Sequence, residues 1–229
     1  MRIFLLLACT FQMALAWDPA ARLQGLLGVP YVNDAVRDER GRWTTFTHPD
    51  QTRTTPGFNC SGFVLTASRL LLEYRGSLDE ATRDRLGDSG KNATLGPDWD
   101  FAWDLVLNLS EGSKRNVILP GGETSIQGQT GFTLRGFAMS DTQAWNRVLP
   151  RFRTNCVYLA SLSRVQRGKV QHYHAVLFVK DERGSVWLYQ TLPFGHSHRL
   201  CISHPAGLAR MQTMFGHGKE ILIIETETP

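Results

Sequence analysis

The chain has 229 residues, with 25 basic against 21 acidic side chains and a formal charge of +4. A balance this close to neutral, without a run of Lys and Arg, excludes a nucleic-acid surface built on a basic stripe. The sequence is 42% hydrophobic and shows neither repeats nor low-complexity stretches, so it has the apolar material for one sizeable core.

Met1-Arg2, the apolar run Ile3 to Leu7 and the triplet Ala14-Leu15-Ala16 read as an export signal cleaved before Trp17. The run is too short to span a bilayer, so no stable membrane insertion is expected after cleavage. Leu6-Leu7-Ala8-Cys9 resembles a lipoprotein attachment site but lies too near the N-terminus. Cleavage leaves 213 residues, 24 basic and 21 acidic, for a charge of +3. Residues 17–229 are expected to form a single domain, monomeric and periplasmic or extracellular.

Residues 19–28 predict a short helix stopped by Gly28, and Pro30 holds Val29-Pro30-Tyr31 extended. The polar stretch 33–57 reads as a long loop, with His48 solvated. Gly57-Phe58-Asn59-Cys60-Ser61-Gly62-Phe63-Val64 follows, with Asn59 as an N-cap. Phe63, Val64, Ala67, Leu70, Leu71 and Tyr74 recur at helical spacing. Cys60 falls in the first helical turn, where free N–H groups and the helix dipole favour a thiolate; the other reading is an inert cysteine in a core helix. Ser77-Leu78-Asp79-Glu80 is a capping box for a second helix ending near Gly87.

From residue 87 to about 145 the chain reads as an insertion. In it, Asp98-Trp99-Asp100-Phe101-Ala102-Trp103-Asp104 alternates carboxylates with aromatics at strand-like or loop-like spacing. The carboxylates suit a cationic substrate group or a divalent metal; the bland reading, which outweighs it, is a loop anchored on the core by its tryptophans. Beyond Asn155 the pattern turns to β: strands over 156–162, 172–179 and 185–192, and a closing strand over 220–224. Alternation puts His172, His174, Val176 and Phe178 on one face. A hairpin centred on Glu182 sets Gln190 opposite His174; a shifted register presents Tyr189 or Thr191 instead.

Asn59-Cys60-Ser61-Gly62-Phe63 resembles the nucleophile motif of the NlpC/P60 cysteine peptidases, whose cysteine lies at a helix N-terminus. Gly28-Val29-Pro30-Tyr31 resembles the stretch those enzymes carry upstream. His174-Ala175-Val176-Leu177-Phe178-Val179 resembles their histidine-led strand, and Gln190 in Trp187-Leu188-Tyr189-Gln190 stands for the third polar residue. Two departures are visible: Asn59 replaces the usual Asp, and the interval from Cys60 to His174 is longer than the family's.

The resemblance implies an α+β, papain-like fold with the Cys60 helix packed on an antiparallel sheet. It implies Cys60 as nucleophile, His174 as base, Gln190 as the group orienting it and Tyr31 as helper to the oxyanion. Ser61, Asp98 and Asp100 are the substrate-binding candidates, and His172 is a rival base. Of the three cysteines left after cleavage, Cys156 and Cys201 form the default disulfide if Cys60 must stay free. His196, His198 and His204 lack a zinc-ligand frame, so neither metal nor cofactor is expected. The implied function is hydrolysis of amide bonds in peptidoglycan stem peptides, commonly between D-glutamate and a diamino acid. The alternatives are an acyltransferase or other amidase on the same scaffold, and a wall-binding module without catalysis.

Overall fold

The computed structural model describes residues 17–229; the expected signal, Met1–Ala16, lies outside the described residues. One antiparallel sheet of eight strands organises the protein, with helices on both faces. Its centre is built from β6 (Cys156–Gln166), β7 (Lys169–Lys180) and β10 (Lys219–Glu227). Strands β8 (Val186–Gln190) and β9 (His198–Cys201) extend it on one side. β3 (Arg115–Leu119), β4 (Gly122–Thr124) and β5 (Phe137–Ala138) extend it on the other. The closing strand β10 is therefore central, paired with β6 along its whole length. A separate hairpin joins β1 (Ala35–Arg37) to β2 (Trp43–Thr45), within the stretch expected to be a loop.

Both faces of the central strands are covered, which is why Cys156 to Leu162 is almost uninterruptedly apolar instead of alternating. On one face Val157, Leu159, Ala175, Leu177 and Leu222 pack against α2 (Cys60–Leu71) and α4 (Phe101–Leu109). On the other, Tyr158, Val176, Phe178 and Ile223 meet α5 (Thr142–Val148) and α6 (Pro205–Phe215). Each buried Leu or Phe contributes about 1.5–3 kcal/mol to holding these layers together. Among the described residues no helix is long and apolar enough to cross a membrane.

The N-terminal expectations hold in outline. α1 (Pro19–Leu23) runs on as a 3-10 turn to Leu26, and Gly28 has a φ of 77°. The capping box at Ser77 is formed, with both reciprocal bonds, but α3 (Leu78–Ala81) ends six residues before Gly87. The stretch 87–145 is not an appended loop. It supplies α4 to one core and β3, β4 and β5 to the sheet, so it is part of the domain's frame. The alternation of carboxylate and aromatic at 98–104 is in fact a helix start, with Trp103 and Leu105 turned into the core.

The expected disulfide is absent: Cys60, Cys156 and Cys201 are all free. Register explains it. Cys201 pairs with Trp187, Trp187 with Val179, and Val179 with Val157, the neighbour of Cys156. Three strand spacings of about 4.8 Å separate the two cysteines, about twice the Cα reach of a disulfide. Alkylation of the denatured chain without reductant is expected to label all three thiols; a peptide linking Cys156 to Cys201 would contradict this register.

Candidate active site

Cys60 is the first residue of α2. The Asn59 side chain caps the helix by accepting the Gly62 N–H at 2.7 Å. Gly62 lets the helix start come against β1, because a Cβ there would lie 2.2 Å from the Ala35 carbonyl oxygen. Asn59 N–H donates to that same carbonyl at 3.0 Å, so the Cys60 turn is fixed to the β1 hairpin.

The histidines part company at a bulge. Ser163 pairs with His172 and Leu162 with His174, which leaves Tyr173 as an extra residue in β7. An extra residue reverses the alternation beyond it, so His172 and His174 occupy opposite faces, against the single face expected from simple alternation. His172 is buried beside Trp99, its Nδ1 with Ser161 Oγ at 2.8 Å and its Nε2 with the Gly131 carbonyl at 2.7 Å. Burial, only partly offset by that carbonyl, holds its pKa down at about 4. With both nitrogens engaged, it has none to offer as a base.

His174 has a different setting. Its ring lies against Phe215 of α6, and its Nε2 meets Gln190 Oε1 at 3.2 Å. The hairpin turn spans 181–185 and centres on Arg183, one residue later than expected. Gln190 consequently lies one step past the Leu177–Tyr189 pair, level with Val176. Val176 and His174 share a face, so the amide still reaches the imidazole diagonally. β8 ends there, and α2 packs across β7 and β8 at this point, bringing the Cys60 sulfur to the His174 ring and the Ala175 amide.

Burial alone pushes the Cys60 thiol up. His174, through charge and a hydrogen bond, the Ala175 N–H and Ser61 outweigh it and bring the pKa down to about 7. Ser61 Oγ lies 3.9 Å from the sulfur. For His174, burial opposes protonation, while the adjacent sulfur and Gln190 raise its pKa above the ordinary value. Tyr31 is bridged to Phe58, two residues before Cys60. Its hydroxyl is held protonated first by burial and then by the charge of Cys60, so it stays a donor.

The cleft over Cys60 is lined in part by Tyr31, Asp34, Phe46, Asp98, Phe101 and the buried His172 beside Tyr173, with Ser61 next to the sulfur. Asp98 is exposed on the cleft wall, at a φ of 50°. Asp100 is not there. It is fully buried at the N-cap of α4, its Oδ1 bonded to Ser89 Oγ, and offers no carboxylate to a ligand in the cleft. Asp34, Phe46 and Phe101 are not among the site residues expected from the sequence: a loop over 33–57 and strand-like or loop-like spacing over 98–104 do not bring these residues over Cys60. Among the described residues no three His, Cys, Asp or Glu side chains converge as a metal site requires.

Asp100 and Asp104 lie one helical turn apart, each with a buried oxygen that has no hydrogen-bond partner, Oδ2 and Oδ1 respectively. Burial raises the Asp104 carboxyl to about 7, and the Asp100 charge adds to it. A carboxyl whose folded pKa exceeds its unfolded value of 3.8 destabilises the fold increasingly as pH rises between the two. Asp104→Asn is therefore expected to be more stable than the wild type at pH 8 by about 3 kcal/mol, relative to their difference at pH 4. Urea denaturation at the two pH values measures this; a pH-independent difference would contradict it.

Compared with models of protein families, with curated proteins and with solved structures, the chain finds no match in any of the three. The chemistry follows from the atoms themselves. A sulfur ionised near neutral pH beside a protonatable imidazole can attack an acyl carbon and return a proton to the departing group.

Proposed function

We propose that this protein is an exported cysteine hydrolase of the NlpC/P60 type, a papain-like arrangement that cleaves amide bonds in peptidoglycan stem peptides. The observation that carries this reading is the placement of His174 between Cys60, whose thiol it helps lower to about 7, and Gln190, which its Nε2 meets at 3.2 Å. In this scheme the Cys60 thiolate attacks the amide carbonyl, and the oxyanion is met by the first-turn N–H groups of α2 and the Tyr31 hydroxyl. The imidazolium of His174 protonates the leaving amine, which leaves a thioacyl enzyme. His174 then takes a proton from water, whose oxygen displaces the thiolate and releases the acid. Asp98 supplies a carboxylate for the ammonium of a diamino acid, so the bond between D-glutamate and that residue is the favoured substrate.

The chain from Trp17 onward, incubated with purified sacculi and soluble muropeptides beside Cys60→Ala, tests this by mass spectrometry of the products. New fragments that vanish in the variant, cut on the amino side of the diamino acid, are expected. Identical traces from two folded proteins would overturn the peptidoglycan assignment.

A further inference from the structure

Behind Gln190 stands a second histidine that the scheme above does not use. His198 on β9 pairs in register with Gln190, and its Nε2 lies 3.4 Å from Gln190 Nε2. Its Nδ1 lies 3.0 Å from the His196 carbonyl oxygen. A carbonyl can only accept, so Nδ1 carries the proton and Nε2 presents a lone pair. The Gln190 NH₂ group faces that lone pair and, at 2.7 Å, the Met214 sulfur. Two acceptors on one side fix the direction of the amide, and its oxygen must then turn to His174. There it accepts from the Nε2–H, so the neutral imidazole keeps its Nδ1 lone pair for the Cys60 proton.

We propose that His198 is a positioning residue: acting through the Gln190 amide, it sets which nitrogen of His174 carries the proton and leaves the other free for the Cys60 sulfur. The proposal rests on the reading of Cys60 and His174 as a thiol–base pair. The order is His196 carbonyl, His198, Gln190, His174, Cys60, and each link dictates the donor or acceptor role of the next. Met214 reinforces the amide from α6, a helix that also supplies Phe215 to the His174 ring. A donor placed at 198 opposes this order by attracting the Gln190 oxygen, whereas an acceptor there preserves it.

The test is the rate of Cys60 alkylation by iodoacetamide across pH, followed by peptide mass spectrometry, which requires no knowledge of the substrate. His198→Lys, which can only donate, is expected to slow alkylation at pH 7 by about fivefold, as a rise of one unit from a thiol pKa of about 7 would. His198→Gln, which keeps an acceptor, is expected to stay within about twofold of the wild type, and His198→Lys added to Gln190→Ala is expected to cost no more than about twofold further. Wild-type rates in His198→Lys, equal slowing by Lys and Gln, or full additivity with Gln190→Ala would each overturn the proposal. A wild-type Cys60 that ionises like an ordinary thiol would instead remove the thiol–base pair on which it rests.

Discussion

His174→Ala is expected to lower hydrolysis on the order of 10³-fold, the usual contribution of a positioned general acid and base. The loss has two sources. The leaving amine loses its proton donor, and the Cys60 thiol, still buried, loses the main influence that holds it at about 7. Its pKa therefore rises, and alkylation of Cys60 at pH 7 is expected to slow by more than about tenfold. His172 cannot compensate. Both of its ring nitrogens are held, Nδ1 by Ser161 Oγ and Nε2 by the Gly131 carbonyl. Full alkylation rates in a folded His174→Ala protein would contradict this assignment, and the same result in His172→Ala would agree with it.

Gly62→Ala is expected to cause the largest loss of stability of any single-methyl change near the site. The added Cβ would sit 2.2 Å from the Ala35 carbonyl oxygen and 3.0 Å from Val36 Cα, both backbone atoms of β1. Neither can rotate away, so α2 must move off the hairpin, at a cost of about 3 kcal/mol. For a chain of this size that corresponds to a fall of roughly 8 °C in Tm. The same shift carries Cys60 away from His174, so alkylation should slow together with the loss of stability. Gly25→Ala is the matched control, since a Cβ there meets nothing within 4 Å; it should stay within about 0.5 kcal/mol of wild type. Calorimetry on the two variants reads both effects, and equal Tm values would contradict the close approach of α2 to β1.

The parts of the fold legible in the sequence were those set by local chemistry. Asn59 before an apolar helix, the Ser77 capping box and the apolar runs of β6, β7 and β10 all carried their signal in adjacent residues. What escaped was set by pairing across distance. The bulge at Tyr173, which separates His172 from His174, has no glycine to mark it; it becomes visible only when β6 is laid against β7. The disulfide expectation failed for the same reason. A count of cysteines says nothing about the two strands that lie between Cys156 and Cys201.

Other misses did have a signal. Pro205 at a helix start, Leu208, Met211 and Phe215 on one face, and Gly216 after them spell out α6. Read as a helix, that stretch would have placed Met214 and Phe215 near the sheet, where they support Gln190 and His174. Asp98 and Asp100 show the limit of residue type as evidence. The two carboxylates stand two positions apart, yet Asp98, in the turn before α4, lies on the cleft wall, whereas Asp100, the N-cap of α4, is buried.

Asn59 bears on electrostatics as well as capping. Its amide caps α2 without placing a negative charge beside Cys60. The thiolate therefore faces the positive end of the helix dipole with no adjacent anion to oppose it.

Thiolate absorbance near 240 nm tests whether Cys60 is an activated thiol. The measurement is the difference between the wild type and Cys60→Ala, titrated from acid to alkaline pH. A single step with a midpoint near 7 is expected. A midpoint at or above about 8.5, where an unperturbed thiol ionises, would contradict it.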